Sequence, residues 1–268
     1  MSNFIIGEDA FNAPTEAGGG NDVEWSKLNS GMSYKVRVFK NYTQAAMKFR
    51  NYGIFKVVNS FSAKNPSTKN ANGFAESNLT PWDAATKYYT DLMFKAMDEK
   101  NAADEKKYKQ EAGKYREKER FGVAFVDLDT GTPVHFDISP KQWGVIRTAL
   151  QKYAANLGSI PFEIAKTGSG KDTVLSFMPI MTQLEPLTDK QQANFDKFND
   201  VEFDPSVFAG FMYEIDEAEQ TKLLVQAGFN VKLIGLTAPT DEGEAPATND
   251  PFATGGGPIE VDDESLPF

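Results

Sequence analysis

Hydrophobic and polar positions alternate with period two from Tyr34 to Phe39, so Tyr34, Val36 and Val38 share one face while Lys35 and Arg37 share the other. The pattern predicts a strand with a basic face. After a polar break, Met47 to Val58 predicts a second strand region, in which Lys48, Arg50 and Lys56 alternate with aromatic and aliphatic residues. Asn59 to Thr80 loses periodicity and is rich in Asn, Ser, Lys and Gly, which predicts a loop. Ala85, Tyr88, Leu92 and Ala96 then recur at helical spacing, with Met93 and Met97 beside them; such an apolar stripe belongs in a core. Phe121 to Val126 predicts another strand, Asp129-Thr130-Gly131 a hairpin turn, and Val134 to Phe136 its return.

Ser139-Pro140-Lys141-Gln142 reads as a capping box with Pro at the first helical position. Trp143, Ile146, Leu150, Tyr153 and Leu157 line one face of the helix that follows, and Gly158 supplies its stop. Ile160, Phe162 and Ile164 alternate, Gly168-Ser169-Gly170 turns the chain, and Val174 to Met178 alternates back. Several short, unequal strands with a helix before the last pair suit a mainly β chain, with an antiparallel Greek-key barrel of OB type over residues 25–183 that carries a helical insertion. Residues 184–236 predict two or three helices packed on that barrel: Asp204-Pro205 starts one, Phe208 and Phe211 follow, and Leu223-Leu224 precede the Ala227-Gly228 stop.

At 268 residues the chain can bury a sizeable core without covalent staples. It contains no cysteine, which excludes disulfides, thiolate metal sites and a cysteine nucleophile, and which suits a reducing cytoplasm. The start has no basic leader and no run approaches a membrane span, so a soluble cytoplasmic protein is expected. The net charge of -10 is unevenly spread. Residues 1–24 hold five acids and no bases around Gly18-Gly19-Gly20, which reads as a flexible acidic arm. Residues 25–182 hold 24 bases against 15 acids, residues 183–236 four bases against ten acids, and residues 237–268 eight acids and no bases. A basic body between acidic ends implies a positive face for a polyanion.

Cations set among aromatics are the chemistry of single-strand binding, because amines neutralise phosphates while rings stack on bases. The densest such clusters are Lys106 to Lys109 and Lys114 to Arg120. Proximity to strands nominates Lys35, Arg37, Lys48, Arg50, Lys114, Arg116, Lys118 and Arg120 as phosphate contacts, with Tyr52, Tyr108, Tyr115 and Phe125 as stacking platforms. The alternatives are a solvated helix face for the charges and inward packing for the rings. Catalytic signals fail. Gly168-Ser169-Gly170-Lys171 lacks both the first glycine and the following helix of a phosphate loop. His135 has no partner motif, and turn chemistry and strand alternation account for Asp127, Asp129 and Asp137. No enzyme, cofactor or metal is expected.

The last 32 residues predict a disordered acidic tail. Its tip sets Leu266, Pro267 and Phe268 behind Asp262, Asp263 and Glu264, so an apolar anchor with a carboxylate can enter a small pocket with a basic rim. This ending resembles the tail of bacterial single-stranded DNA-binding proteins, which implies recruitment of replication, recombination and repair enzymes. The order of elements resembles the helix-destabilising single-stranded DNA-binding proteins of T-even-like tailed phages. The matching residues are Leu28-Asn29-Ser30-Gly31, the basic-aromatic insertion, the Phe121 to Leu128 strand, the Trp143 helix and the Phe162 to Phe177 hairpin. The resemblance implies a non-catalytic, sequence-independent single-stranded DNA-binding protein of an infected bacterial host. Two departures stand out. The zinc turn of that family corresponds to Thr80-Pro81-Trp82-Asp83, so apolar packing through Trp82 must replace metal, and the basic N-terminal arm used for cooperative binding is acidic. The competing expectation is an acidic interaction protein, a DNA mimic that occupies a basic site on a host enzyme.

Overall fold

The computed structural model describes residues 5–6, 25–169 and 172–237. The period-two stretches pair into one nine-stranded, mostly antiparallel sheet built from β1 (Ile5–Ile6), β2 (Ser33–Arg37), β3 (Ala46–Ile54), β4 (Val58–Ala63), β7 (Lys118–Asp127), β8 (Thr132–Ile138), β9 (Phe162–Thr167), β10 (Val174–Pro179) and β11 (Glu214–Ile215). Between β4 and β7 lie a separate hairpin, β5 (Thr68–Lys69) and β6 (Ala75–Ser77), and two helices, α1 (Pro81–Asp98) and α2 (Ala102–Tyr115). Helix α3 (Pro140–Lys152) precedes β9, while α4 (Asp189–Lys197) and α5 (Glu217–Gln226) flank β11. The main path runs β10-β9-β2-β7-β3-β4-β11.

Strand β7 is the hub. Its first half pairs with β3, from Asn51 opposite Lys118 to Ala46 opposite Val123, and its end pairs with β2 through Arg37 opposite Val126. β8 runs along its other edge, from Ile138 opposite Phe121 to Thr132 opposite Asp127. Alternation along β7 therefore feeds two cores. Phe121, Val123 and Phe125 meet Trp143, Ile146 and Leu150 of α3, whose capping box forms as the sequence predicts. Ala124 and Val126 meet Phe203, Phe208 and Phe211 on the opposite side. Each phenylalanine buried this way contributes about 1.5–3 kcal/mol relative to exposure.

A third cluster centres on Trp82, which is fully buried against Tyr52, Phe61 and Tyr115 and donates its indole N–H to the Gln220 carbonyl at 3.1 Å. Thr80 caps α1 by accepting from the Asp83 N–H, and Pro81 opens the first turn. Ring packing around Trp82, its bond to Gln220 and the Thr80 cap thus hold the Thr80 to Asp83 turn.

Four expectations change. The fold is mixed α and β, with more residues in helices than in strands, and the sheet is open, not a closed barrel. β8 and β10 do not pair; α3, joined to β8 through Ser139, covers the inner face and packs on β7 and β10. The stretch 59–80 is not a plain loop but holds most of β4 and the whole β5–β6 hairpin. The segment after residue 183 is not purely helical, since β11 joins the sheet parallel to β4. Finally, α3 ends at Lys152 under a Tyr153 cap, before Gly158. No helix among the described residues is long and apolar enough to cross a membrane.

Candidate nucleic-acid interface

An open groove of about 890 Å3 lies where β3 and β4 meet the base of the β5–β6 hairpin and the first turn of α1, with Glu217 and Gln220 of α5 on its far wall. Strand alternation delivers the cations. Met47 and Phe49 of β3 turn to the Phe208 core, which leaves Lys48 and Arg50 on the other face, and both line the groove. Lys64 follows directly from β4, its N–H bonded to the Ile215 carbonyl, and Lys69 comes from β5. The lining therefore carries four cations, Lys48, Arg50, Lys64 and Lys69, against two carboxylates, Glu117 and Glu217. The hairpin above it is held by Asn70, whose side-chain oxygen accepts from the N–H groups of Asn72 and Phe74. This turn leaves Phe74 64% exposed, the most exposed aromatic ring among the described residues.

Below the cations lies a buried polar cluster. The Glu117 side chain is only 8% exposed, and its Oε2 accepts from Arg50 at 3.1 Å and from Lys69. Burial pushes its carboxyl up to about 8, the nearby Asp83 adds to the rise and Arg50 opposes it. Asp83 in turn accepts from the Tyr52 hydroxyl at 2.8 Å and the Ser67 hydroxyl at 2.5 Å. The Tyr52 hydroxyl is itself held well above its ordinary value by burial, then by Glu117 and Asp83. Lys48 faces Glu119 at 3.7 Å, both largely buried.

Of the residues nominated from sequence, the groove gathers Lys48 and Arg50. The others lie elsewhere. Lys35 is half-buried and paired with Glu185 at 2.5 Å. Arg37 is 1% exposed: it stacks on Phe195 at 4.0 Å and donates to the carbonyls of Phe195 and Gly158 and to Asn199 Oδ1. A phosphate cannot reach it, so its nomination is corrected. Burial lowers its guanidinium value, offset by Asp196 and Asp200. Lys114 is exposed and pairs with Glu111 within α2, and Arg116 is exposed at the cap of that helix. Lys118 donates to the Gly53 carbonyl at 3.3 Å, its amine lowered by burial and by Arg120. Arg120 is paired with Asp137 at 2.8 Å.

Three stacking nominees are corrected as well, because Tyr52, Tyr115 and Phe125 are at most 3% exposed and offer no ring face to a base. Tyr115 packs on Tyr89, Trp82 and Phe229, and Phe125 on Phe177. Tyr108 is half-buried on α2 and stacks on Tyr89. The tail residues Asp262, Asp263, Glu264, Leu266, Pro267 and Phe268 lie outside the described residues. Sequence reasoning missed Lys64, Lys69 and Phe74, all inside the stretch read as a loop. Two lysines, and a Phe74 flanked only by small and polar residues from Ser62 to Asn78, were the available signal.

The residues weighed for catalysis are engaged structurally. His135 lies against Phe203, Phe208 and Phe211, and burial lowers its imidazole value. Asp127 accepts from the Asp129 N–H and the Thr130 hydroxyl in the β7–β8 turn, and Asp137 is the partner of Arg120. Among the described residues no group of three or more His, Asp or Glu is placed to hold a metal ion. Compared with known proteins, the chain matches no family model, no curated protein and no solved structure.

Proposed function

We propose that this protein binds single-stranded DNA without catalysis and without sequence preference, seating the backbone in the groove lined by Lys48, Arg50, Lys64 and Lys69. The observation that carries the reading is the pairing of that cationic groove with a small hairpin whose base, Thr68 and Lys69, lines it and whose turn leaves Phe74 exposed. Phosphates would meet the four cations, and an unstacked base would lie on the Phe74 ring. Duplex offers no unstacked base, so it would gain only the phosphate contacts.

The succession β2, β3, β7–β8, α3 and β9–β10 keeps the order expected of an OB-type core with a helix before its last strand pair, and we read the open sheet as an unclosed variant of that arrangement. The resemblance to phage helix-destabilising proteins supports a place in phage DNA replication, recombination and repair. In this reading the acidic segment ending in Leu266, Pro267 and Phe268 recruits replication or recombination enzymes.

A gel shift with labelled single-stranded and duplex oligonucleotides tests the core of the reading. Single strands are expected to bind more tightly, and equal affinity for duplex would overturn it. A parallel pulldown of replication enzymes should fail with Phe268→Ala while oligonucleotide binding persists. Binding to a basic host enzyme in place of DNA would instead favour a DNA mimic.

A further inference from the structure

Glu117 sits between two of the groove's cations. Its Oε2 is shared by Arg50 from β3 and Lys69 from β5, so one carboxylate oxygen ties the two sides of the groove together. A phosphate diester offers the same thing, an oxygen anion that two cations can share. The Glu117 side chain is 8% exposed while those of Lys69 and Arg50 are 22% and 28% exposed, so all three border the groove and the cations are the more reachable from it. We propose that Glu117, while ionised, is an internal stand-in for a backbone phosphate: it holds Arg50 and Lys69 together when no strand is present, gives them up to an entering strand, and takes a proton from bulk water in exchange. The inference rests on the DNA-binding reading of the groove.

The surroundings favour that exchange. Arg50 and Lys69 are the cations that stabilise an ionised Glu117, and both would turn to the strand. What remains on the other side is Asp83 of α1, a second buried carboxylate that opposes ionisation, and the Tyr52 hydroxyl bonded to it. Glu217 of α5 and Lys64 border the same groove, Lys48 is engaged with Glu119, and Lys118 follows Glu117 in the chain. A carboxyl already pushed up to about 8 rises further once its cations leave, so strand and hydroxide compete for the same two side chains. Below that value a neutral Glu117 leaves Arg50 and Lys69 to the strand. Above it the carboxylate reclaims them, and affinity should fall by up to about tenfold per pH unit until the bound-state value is passed.

The test is oligothymidylate binding by the full chain at constant ionic strength from about pH 6 to about pH 9, with calorimetry in buffers of different ionisation enthalpy to count protons. Wild type should weaken above about pH 8 and take up as much as one proton on binding there. Glu117→Gln, which keeps the shape and cannot ionise, should bind tighter than wild type at the alkaline end, lose that pH dependence and take up none. Equal pH dependence in both proteins would assign the effect to Lys118 or another group and overturn the role of Glu117 alone. Absence of oligonucleotide binding by both proteins at every pH would overturn the DNA reading with it. Should Glu117→Gln not fold, carboxyl-carbon NMR of wild type follows the same group. The oligonucleotide must raise the Glu117 midpoint, and an unmoved midpoint overturns the exchange.

Discussion

Replacing Lys64 and Lys69 together with Gln removes half of the groove's cations and leaves the core untouched. Lys64 is exposed, and Lys69 reaches across to Glu117, which Gln can still meet as a neutral donor. Each phosphate neutralised on a single strand contributes about -0.7 to the slope of log affinity against log salt, so four cations give about -2.8 and two give about -1.4. Between about 50 mM and about 200 mM salt, wild type should lose about 50-fold in affinity and the double variant about sevenfold. The variant is therefore weaker at low salt and converges on wild type as salt rises. Fluorescence anisotropy of a labelled oligothymidylate, titrated at stepped salt concentrations, measures both slopes, and circular dichroism verifies the fold. A double variant with the wild-type slope would place the phosphates elsewhere and refute the groove as their seat.

Two further substitutions separate binding from architecture. Arg37→Met should lower stability by at least about 2 kcal/mol in urea unfolding, because the Phe195 and Gly158 carbonyls lose charged donors. The folded fraction should keep full DNA affinity; weaker binding at unchanged stability would return Arg37 to the interface. Phe74→Ala should cost about 1–3 kcal/mol of binding if a base stacks there, with the salt slope unmoved, whereas unchanged affinity would remove the hairpin tip from the site.

Much of the fold was legible because the period-two stretches and the capping box are local signals. β2, β3, β7, β8, β9 and β10 fall where alternation places them, and Ser139 and Gln142 close their box as spacing requires. Alternation tells which residues share a face, yet it does not tell what covers that face. Arg37 does point away from Val36, but Phe195 and Asn199, about 160 positions later, close over it. Tyr115 was misread for the same reason, since its ring is buried by Phe229 from beyond α5. β4 escaped notice because Asn59, Ser60 and Ser62 dilute its apolar positions, and its strand character comes from pairing with β3 and β11. Half of the groove's cations were found on β3 because they alternate; Lys64 and Lys69 carry no periodic signal and acquire meaning only once the hairpin folds beside them.

The hydrogen bond between Trp82 and Gln220 spans 138 positions, and Lys64 is bonded to Ile215 across a comparable gap. In the order of synthesis, Trp82 and the lysines leave the ribosome long before the residues that wall them in. Loop-closure entropy grows only logarithmically, by about 0.6 kcal/mol per doubling of length, so this separation costs little at equilibrium and acts instead on folding rate. A nascent chain ending before α5 possesses the cations without Glu217 and Gln220, which line the groove with them. If the groove is the seat of a DNA strand, as proposed, competence to hold it arrives late, as a property of the chain through Gln220 and not only of the strands that carry the charges.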